Sequence, residues 1–158
     1  MVTRLAPDSR TLVAAAEDEA RAARSPLVEA EHLLLAMSGQ PGNDAAAILA
    51  SAGLTHETVQ AALDREFGES LAVAGVSVDV GALRRPSPEP PRHLRLGASF
   101  KSAMVRSLAE AGGSRRIRPA HLLLGVLGSD VGTVPRALRL AGIDQDELAS
   151  LVRHSLSD

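Results

Sequence analysis

The sequence predicts an all-α fold in which eight helices form two four-helix repeats related by a pseudo-two-fold axis. Three observations predict it: an internal repeat, helix start and stop signals at matching places in both halves, and an unusual apolar composition. Of the 158 residues, 45% are hydrophobic, yet Phe67 and Phe100 are the only aromatic ones, and Trp, Tyr and Cys are absent. Apolar side chains that are not branched at Cβ, such as Ala and Leu, suit closely packed helices.

The internal repeat sets the architecture. The segments HLLLAMSGQPGNDAAAILASAGL at 32–54 and HLLLGVLGSDVGTVPRALRLAGI at 121–143 align without a gap at an offset of 89 residues. A repeated unit of this kind is one supersecondary structure that buries its apolar face against its neighbour. We therefore expect one compact domain in which repeat 1 covers residues 1–67 and repeat 2 covers residues 98–158.

Residues 68–97 are predicted to be an exposed linker between the repeats. Four prolines fall within six residues at 86–91, which excludes a helix there and favours extended chain. Alternation of apolar and other residues suggests a short extended segment at Val76, Val78 and Val80.

The first helix of each repeat is predicted from apolar residues at helical spacing. In repeat 1 it runs from about Asp8 to Arg24, and in repeat 2 from about Ser99 to Ala111, where two glycines end it. The apolar stripe expected in repeat 1 comprises Leu12, Val13, Ala16 and Ala20. The stripe expected in repeat 2 comprises Phe100, Met104 and Leu108.

The second helix of each repeat carries the His-Leu-Leu-Leu motif, and its three consecutive leucines fit a helix buried between neighbours. Pro119 suits the first turn of the later copy, and Gly53 and Gly142 suit the positive φ that follows the third helix. His32 and His121 are interpreted as packed histidines at helix starts, hydrogen-bonded to the backbone, because no further ligands stand at a spacing typical of zinc.

The fourth helix of each repeat begins directly after these glycines. Thr55 in repeat 1 and Asp144 in repeat 2 are residue types that cap helix N-termini. The stripes expected to face the core are Val59, Leu63 and Phe67 in repeat 1 and Leu148, Leu151 and Val152 in repeat 2.

The net charge of −2 hides a basic region, residues 84–118, that lies between two acidic regions. Residues 1–83 hold five Arg against twelve Asp or Glu, residues 84–118 hold nine Lys or Arg against two Glu, and the remainder sums to −2. The basic region favours a solvated linker or pairing with the acidic first half. Binding of nucleic acid or a phosphorylated ligand through phosphate contacts is the alternative, although no Tyr or Trp is present to stack on bases.

Several function classes find no support in the motifs. The 158 residues contain no G-x-x-x-x-G-K-[ST] and no G-x-S-x-G, patterns typical of P-loop ATPases and serine hydrolases. We expect neither enzymatic activity nor a cofactor or metal. Because we find no basic-then-apolar leader and no apolar run of about 18 residues, we expect a cytoplasmic protein without membrane contact.

A family resemblance adds to this interpretation. The element Glu31–Leu35, followed by the Ile-Leu-x-x-x-Gly turn at 48–53, resembles the Clp repeat, and Ala16–Arg21 resembles the matching first helix. That repeat occurs twice in the N-terminal domain of the Hsp100 unfoldases ClpA, ClpB and ClpC. The resemblance covers about residues 4–67 and 96–154.

The resemblance implies an eight-helix domain that receives substrates and adaptor proteins for an ATPase ring. It implies two kinds of small ligand: phosphorylated arginine, faced by the Glu of each Glu-His pair, and cyclic peptide small molecules. For this chain it implies a non-catalytic protein- or peptide-binding module whose partners are a Clp unfoldase, its substrates or its adaptors. Such a module would act as a decoy, reservoir or adaptor.

Repeat 2 departs from the family pattern in its charges. Ala120 stands where the family has Glu, so that only repeat 1, through Glu31, keeps the carboxylate. Three arginines stand close to this position in the sequence, and guanidinium groups attract carboxylate or phosphate. We expect the ligand-binding surface in the groove between the halves, at Glu31, Arg115, Arg116 and Arg118.

Overall fold

The computed structural model describes residues 4–75 and 93–158. Its helices are α1 (Pro7–Ala22), α2 (Ala30–Gly39), α3 (Asp44–Ser51), α4 (His56–Val73), α5 (Ala98–Ala111), α6 (Pro119–Leu127), α7 (Thr133–Leu140) and α8 (Gln145–Ser157). Two strands of two residues each, β1 (Leu27–Val28) and β2 (Arg95–Leu96), complete the described elements. The all-α prediction is confirmed, with four helices in each repeat.

The two motif histidines begin α2 and α6 in the same way. The Nδ1 atom of His32 accepts the backbone N–H of Glu29 at 2.9 Å, and that of His121 accepts the N–H of Arg118 at 3.0 Å. Both rings are buried. Each imidazole therefore satisfies a backbone donor at a helix start, which confirms the interpretation of packed histidines.

The residues predicted to begin and end helices do so in the structure. Thr55 and Asp144 accept the backbone N–H three residues further on, at 3.2 and 3.1 Å. Gly53 and Gly142 have φ of 78° and 74°, a region that L side chains rarely adopt. Pro119 occupies the first turn of α6.

The first helices of the two repeats bury equivalent positions. The buried residues are Ser9, Leu12, Ala16 and Ala20 in α1 and Phe100, Ala103, Ser107 and Ala111 in α5. The stripe predicted for α5 is therefore wrong beyond Phe100: Met104 is only partly buried, and Leu108 is 45% exposed. Small residues face α6 instead, because the two helices approach closely.

Two further stripe predictions fail at one position each. Phe67 is 42% exposed and Leu151 is 50% exposed, whereas the other members of both stripes are buried. On α4 the face that meets the neighbouring helices carries Glu66, which is 5% exposed. A salt bridge to Arg136 of α7 makes this burial tolerable.

The repeats interlock through the segments that precede their helices. β1 of repeat 1 pairs in parallel with β2, which leads into α5 of repeat 2. In the reciprocal direction, Leu5 of repeat 1 forms a parallel bridge with Ile117 of repeat 2. Both pairings join repeat 1 to the chain at or just before repeat 2, and the buried residues of the two halves form one core cluster.

At both ends that the structure describes, the predicted linker 68–97 is part of the folded domain. α4 continues to Val73, so the first part of the predicted linker 68–97 is helical. At its other end Leu94 is buried and donates its N–H to the Glu17 carboxylate at 2.9 Å. The prolines of 86–91 and the extended segment predicted at Val76, Val78 and Val80 lie outside the described residues.

Candidate functional site

A groove of about 570 Å³ opens where the two repeats meet. The first turns of α2 and α5, the end of α6 and the beginning of α7 form its walls. We call it the α2–α7 groove. The residues that give it its chemical character are Glu31, Ser102, Arg106, Val131, Thr133 and Pro135.

Glu31 provides the acidic side of the α2–α7 groove. Burial raises the pKa of its carboxyl above the usual value. A hydrogen bond to its own backbone N–H opposes this shift, and the nearby carboxylates of Glu29 and Glu66 reinforce it. A carboxylate that has lost water and faces other carboxylates is stabilised by a cation.

The neighbouring Glu29 has a structural role. Its carboxylate accepts the backbone N–H of Ser99 at 3.2 Å and also the Ser99 hydroxyl. The same hydroxyl accepts the N–H of Ala30 at 2.9 Å. A Cβ atom at Gly97 would collide with the Glu29 carboxylate. Glu29 therefore fixes the start of α5 against the start of α2 and positions two walls of the groove.

The other side of the α2–α7 groove is largely apolar. Val126, Val134 and Pro135 are buried beneath it, and Val131 stands 80% exposed at its edge. Arg106 also lines the groove, but its Nε donates to the carbonyl of Gly125 at 2.7 Å. The groove thus combines an acidic side with an apolar surface.

Glu66 is a buried carboxylate that the sequence reasoning missed. It accepts hydrogen bonds from the Ser70 hydroxyl at 2.6 Å and from Arg136 Nε at 2.8 Å. Its position seven residues after Val59 is the signal that a strict helical period would have flagged. Because Arg136 forms its salt bridge with Glu66, the nearby carboxylate of Glu31 is left to attract a different cation.

The predicted arginines are exposed, and none of them lines the α2–α7 groove. Arg118 forms a salt bridge with Asp44 at 2.9 Å, between the start of α6 and the first turn of α3. The structure therefore does not place Arg115, Arg116 and Arg118 in one groove with Glu31, and a binding role for these three stays a prediction. Arg106 is the cation that the groove contains.

The basic region is partly engaged within the fold. Of its cations that fall in 93–158, Arg106 bonds to a carbonyl and Arg118 pairs with Asp44. These two guanidinium groups are therefore used inside the fold. Binding of nucleic acid stays the alternative prediction, and neither of these contacts favours it.

The described part of the chain contains neither a membrane span nor a metal cluster. No helix in residues 4–75 and 93–158 combines the length and apolar character needed to cross a membrane. Within the same ranges, no three His, Asp or Glu side chains lie together as metal ligands would.

Comparison with known proteins identifies the family. The model of the Clp repeat (R) N-terminal domain matches residues 4–87, just over half of the chain. The chain therefore belongs to the Clp N-terminal domain family, which confirms the resemblance seen in the sequence.

Solved structures share the fold across nearly the whole chain. The N-terminal domain of the caseinolytic protease associated chaperone ClpD from Arabidopsis thaliana is similar with a TM-score of 0.73 and 17% identity, covering 100% of this chain and 98% of that one. A structure from a malarial protein secretion system has a TM-score of 0.66 and 13% identity, with 96% and 94% covered. The ClpV N-domain in complex with a VipB peptide has a TM-score of 0.58 and 16% identity, with 94% and 84% covered. At these identities the likeness shows the fold.

Proposed function

We propose that this chain is a non-catalytic module that binds peptide segments in the α2–α7 groove. The observation that carries the proposal is the state of Glu31. Its carboxyl is partly buried in an open groove, and among the described residues no Lys or Arg pairs with it. A ligand that supplies a cation would complete this site.

The chemistry of the groove indicates the kind of peptide. A guanidinium group can form charge-assisted, bidentate hydrogen bonds with the Glu31 carboxylate. Apolar side chains on either side of that arginine would cover Val131 and Pro135. We therefore propose arginine-bearing segments with apolar neighbours as ligands, with phosphorylated arginine as a variant.

The family supports a role in a Clp-type degradation system. The structure of the ClpV N-domain was determined with a VipB peptide, so a domain of this fold is able to hold a peptide. We propose that this chain acts there as a decoy or reservoir that competes for segments, or as an adaptor that delivers them.

Replacement of Glu31 is the direct test of the groove. The probe is the acetylated, amidated pentapeptide Ala-Val-Arg-Val-Ala, titrated into the ¹⁵N-labelled full chain and followed by NMR chemical shifts. We expect perturbed amides around Glu31, Ser102 and Thr133. Glu31→Gln should weaken binding about tenfold to a hundredfold, because a hydrogen bond to a charged group is worth about 1.5–3 kcal/mol.

Two controls separate charge from shape. Glu57→Gln removes an exposed carboxylate from the first turn of α4 and should leave the affinity unchanged. A peptide with citrulline in place of arginine keeps the shape and loses the charge, so it should bind as weakly as arginine peptide binds to Glu31→Gln. Equal affinity for the citrulline and arginine peptides would contradict the proposed recognition. A peptide with phosphoarginine in place of arginine is titrated in the same way, and its affinity is compared with those of the arginine and citrulline peptides.

The role within a degradation system has its own test. The chain is added to a Clp unfoldase and its protease from the same organism, with an arginine-bearing unfolded substrate. A decoy slows degradation in proportion to its concentration, whereas an adaptor accelerates it. Glu31→Gln should remove either effect. An unchanged rate with wild-type chain would place its partners outside that system.

A further inference from the structure

Two corners of the domain, where the second helix of one repeat meets the third helix of the other, are equivalent in register but differ in charge. At the offset of 89 residues, Glu31 of α2 corresponds to Ala120 of α6, and Thr133 of α7 corresponds to Asp44 of α3. Glu31 and Thr133 both line the α2–α7 groove. Ala120 and Asp44 form the other corner, which we call the α6–α3 corner, and Ala120 is fully buried there.

The α6–α3 corner is occupied by a guanidinium group of the chain itself. One carboxylate oxygen of Asp44 accepts Arg118 Nε at 3.1 Å and Nη2 at 2.9 Å. The other oxygen accepts the backbone N–H of Ala120 at 2.9 Å. Three donors thus converge on one carboxylate, whose side chain is 22% exposed.

The α2–α7 groove has no such occupant. Among the described residues no hydrogen bond or ion pair joins Thr133 to Glu31, and Glu29, which corresponds to Arg118, is bound to Ser99. One corner therefore holds a carboxylate that no cation of the described residues pairs with, while the other holds an arginine on a carboxylate.

We infer that Arg118 acts as an internal ligand that closes the α6–α3 corner, so that the domain binds one arginine-bearing segment and not two. This inference rests on the proposed function, because it assigns the same cationic ligand to both corners. Arg118 is tethered a short distance from Asp44, and a tethered group competes with a free ligand at high effective concentration. The wild-type chain should therefore leave the α6–α3 corner unoccupied by peptide.

Removal of Arg118 tests the inference. Its side chain is half exposed, so Arg118→Ala is expected to fold. With the same pentapeptide and NMR readout, wild type should show one set of perturbed amides, around Glu31. Arg118→Ala should add a second set around Asp44 and Ala120, raising the stoichiometry from one to two. Arg118→Ala combined with Asp44→Asn should lose that second set, because the carboxylate that the first substitution uncovers is gone.

Arg10→Ala is the matched control, since it removes an exposed arginine from α1 and should leave one set of perturbed amides. The inference is overturned if wild type already shows both sets, or if folded Arg118→Ala shows no second set. Its failure is distinguishable from that of the proposed function. If the peptide perturbs no amides around Glu31 in wild type, the proposed function is contradicted. The inference about Arg118 is still decided by the amides around Asp44 in Arg118→Ala.

Discussion

Acidification from about pH 6.5 to pH 4 is expected to lower the free energy of unfolding by about 3 kcal/mol through His32. Burial lowers the pKa of this imidazole from 6.5 to about 4, while the Glu29 carboxylate opposes the shift. The unfolded chain therefore binds a proton in this range that the folded chain does not. Stability is fully present above pH 6.5 and is lost as the pH falls toward 4.

The structure gives the reason for the low pKa. Nδ1 of His32 accepts the Glu29 N–H, and the ring is 4% exposed. Burial also lowers the pKa of His121, with Arg118 adding to the effect, so the second motif acts in the same direction. The raised pKa of Glu31 acts in the opposite direction, because its folded carboxyl keeps a proton to higher pH than the unfolded one.

His32→Asn measures the contribution of this histidine. The Asn side chain offers an acceptor oxygen to the Glu29 N–H but does not titrate. Urea denaturation at pH 7.5 and pH 4.5 should show a smaller difference in stability for the variant than for wild type. His154→Asn removes an exposed histidine from α8 and should keep the full difference. A wild-type pH dependence in His32→Asn would contradict the assignment.

Gly125→Ala is expected to destabilise the domain by about 2–3 kcal/mol through overpacking. A Cβ atom at Gly125 of α6 would collide with the Ser107 hydroxyl and with the carbonyl oxygen of Ala103 on α5. Because one of these atoms belongs to a helix backbone, the helices must separate to admit it. The melting temperature should fall by about 5–10 °C.

Gly68→Ala provides the control of opposite sign. Gly68 lies inside α4, and a Cβ atom there would meet no atom within 4 Å beyond the backbone of its own helix. Alanine should stabilise this helix by about 0.5–1 kcal/mol, because glycine loses more backbone entropy on folding. If Gly125→Ala melts at or above the wild-type temperature, the close approach of α5 and α6 is not a constraint on this position.

The repeat explains why Gly125 matters in only one half. At the offset of 89 residues its counterpart is Ala36 of α2. The buried positions of α1 and α5 match each other at an offset of 91 residues, at which Ala16 corresponds to Ser107. Repeat 2 therefore lacks the methyl group that Ala36 gives to repeat 1, and it has the Ser107 hydroxyl where repeat 1 has Ala16. Such compensation keeps two interiors of one fold equally filled.

Local features of the fold were predictable from the sequence. Consecutive leucines predicted buried second helices, and Leu33 and Leu122 are fully buried. Gly53 and Thr55 predicted the end of one helix and the beginning of the next. These signals act over a single helical turn, and backbone sterics and unpaired N–H groups decide them without distant partners.

Helix faces were predicted less well, because burial depends on what lies opposite. The stripe predictions placed Phe67, Leu108 and Leu151 in the core, yet all three are 42–50% exposed. Their spacing is helical, but the neighbouring helices approach over small or charged residues such as Ser107 and Glu66. Helical periodicity predicts that a helix has an apolar face, but it locates the centre of that face only to within about one residue.

The sequence by itself determined that one helical unit occurs twice, and that Ala120 stands at the position equivalent to Glu31. Only the tertiary structure decided how the charged groups are used. Arg136 lies on Glu66 and Arg118 lies on Asp44, pairs that are 70 and 74 residues apart in the chain. Side chains that far apart meet only after the repeats interlock, so their pairing depends on the packed geometry and has no local signal. That geometry leaves the carboxylate of Glu31 as the open acidic group of the α2–α7 groove.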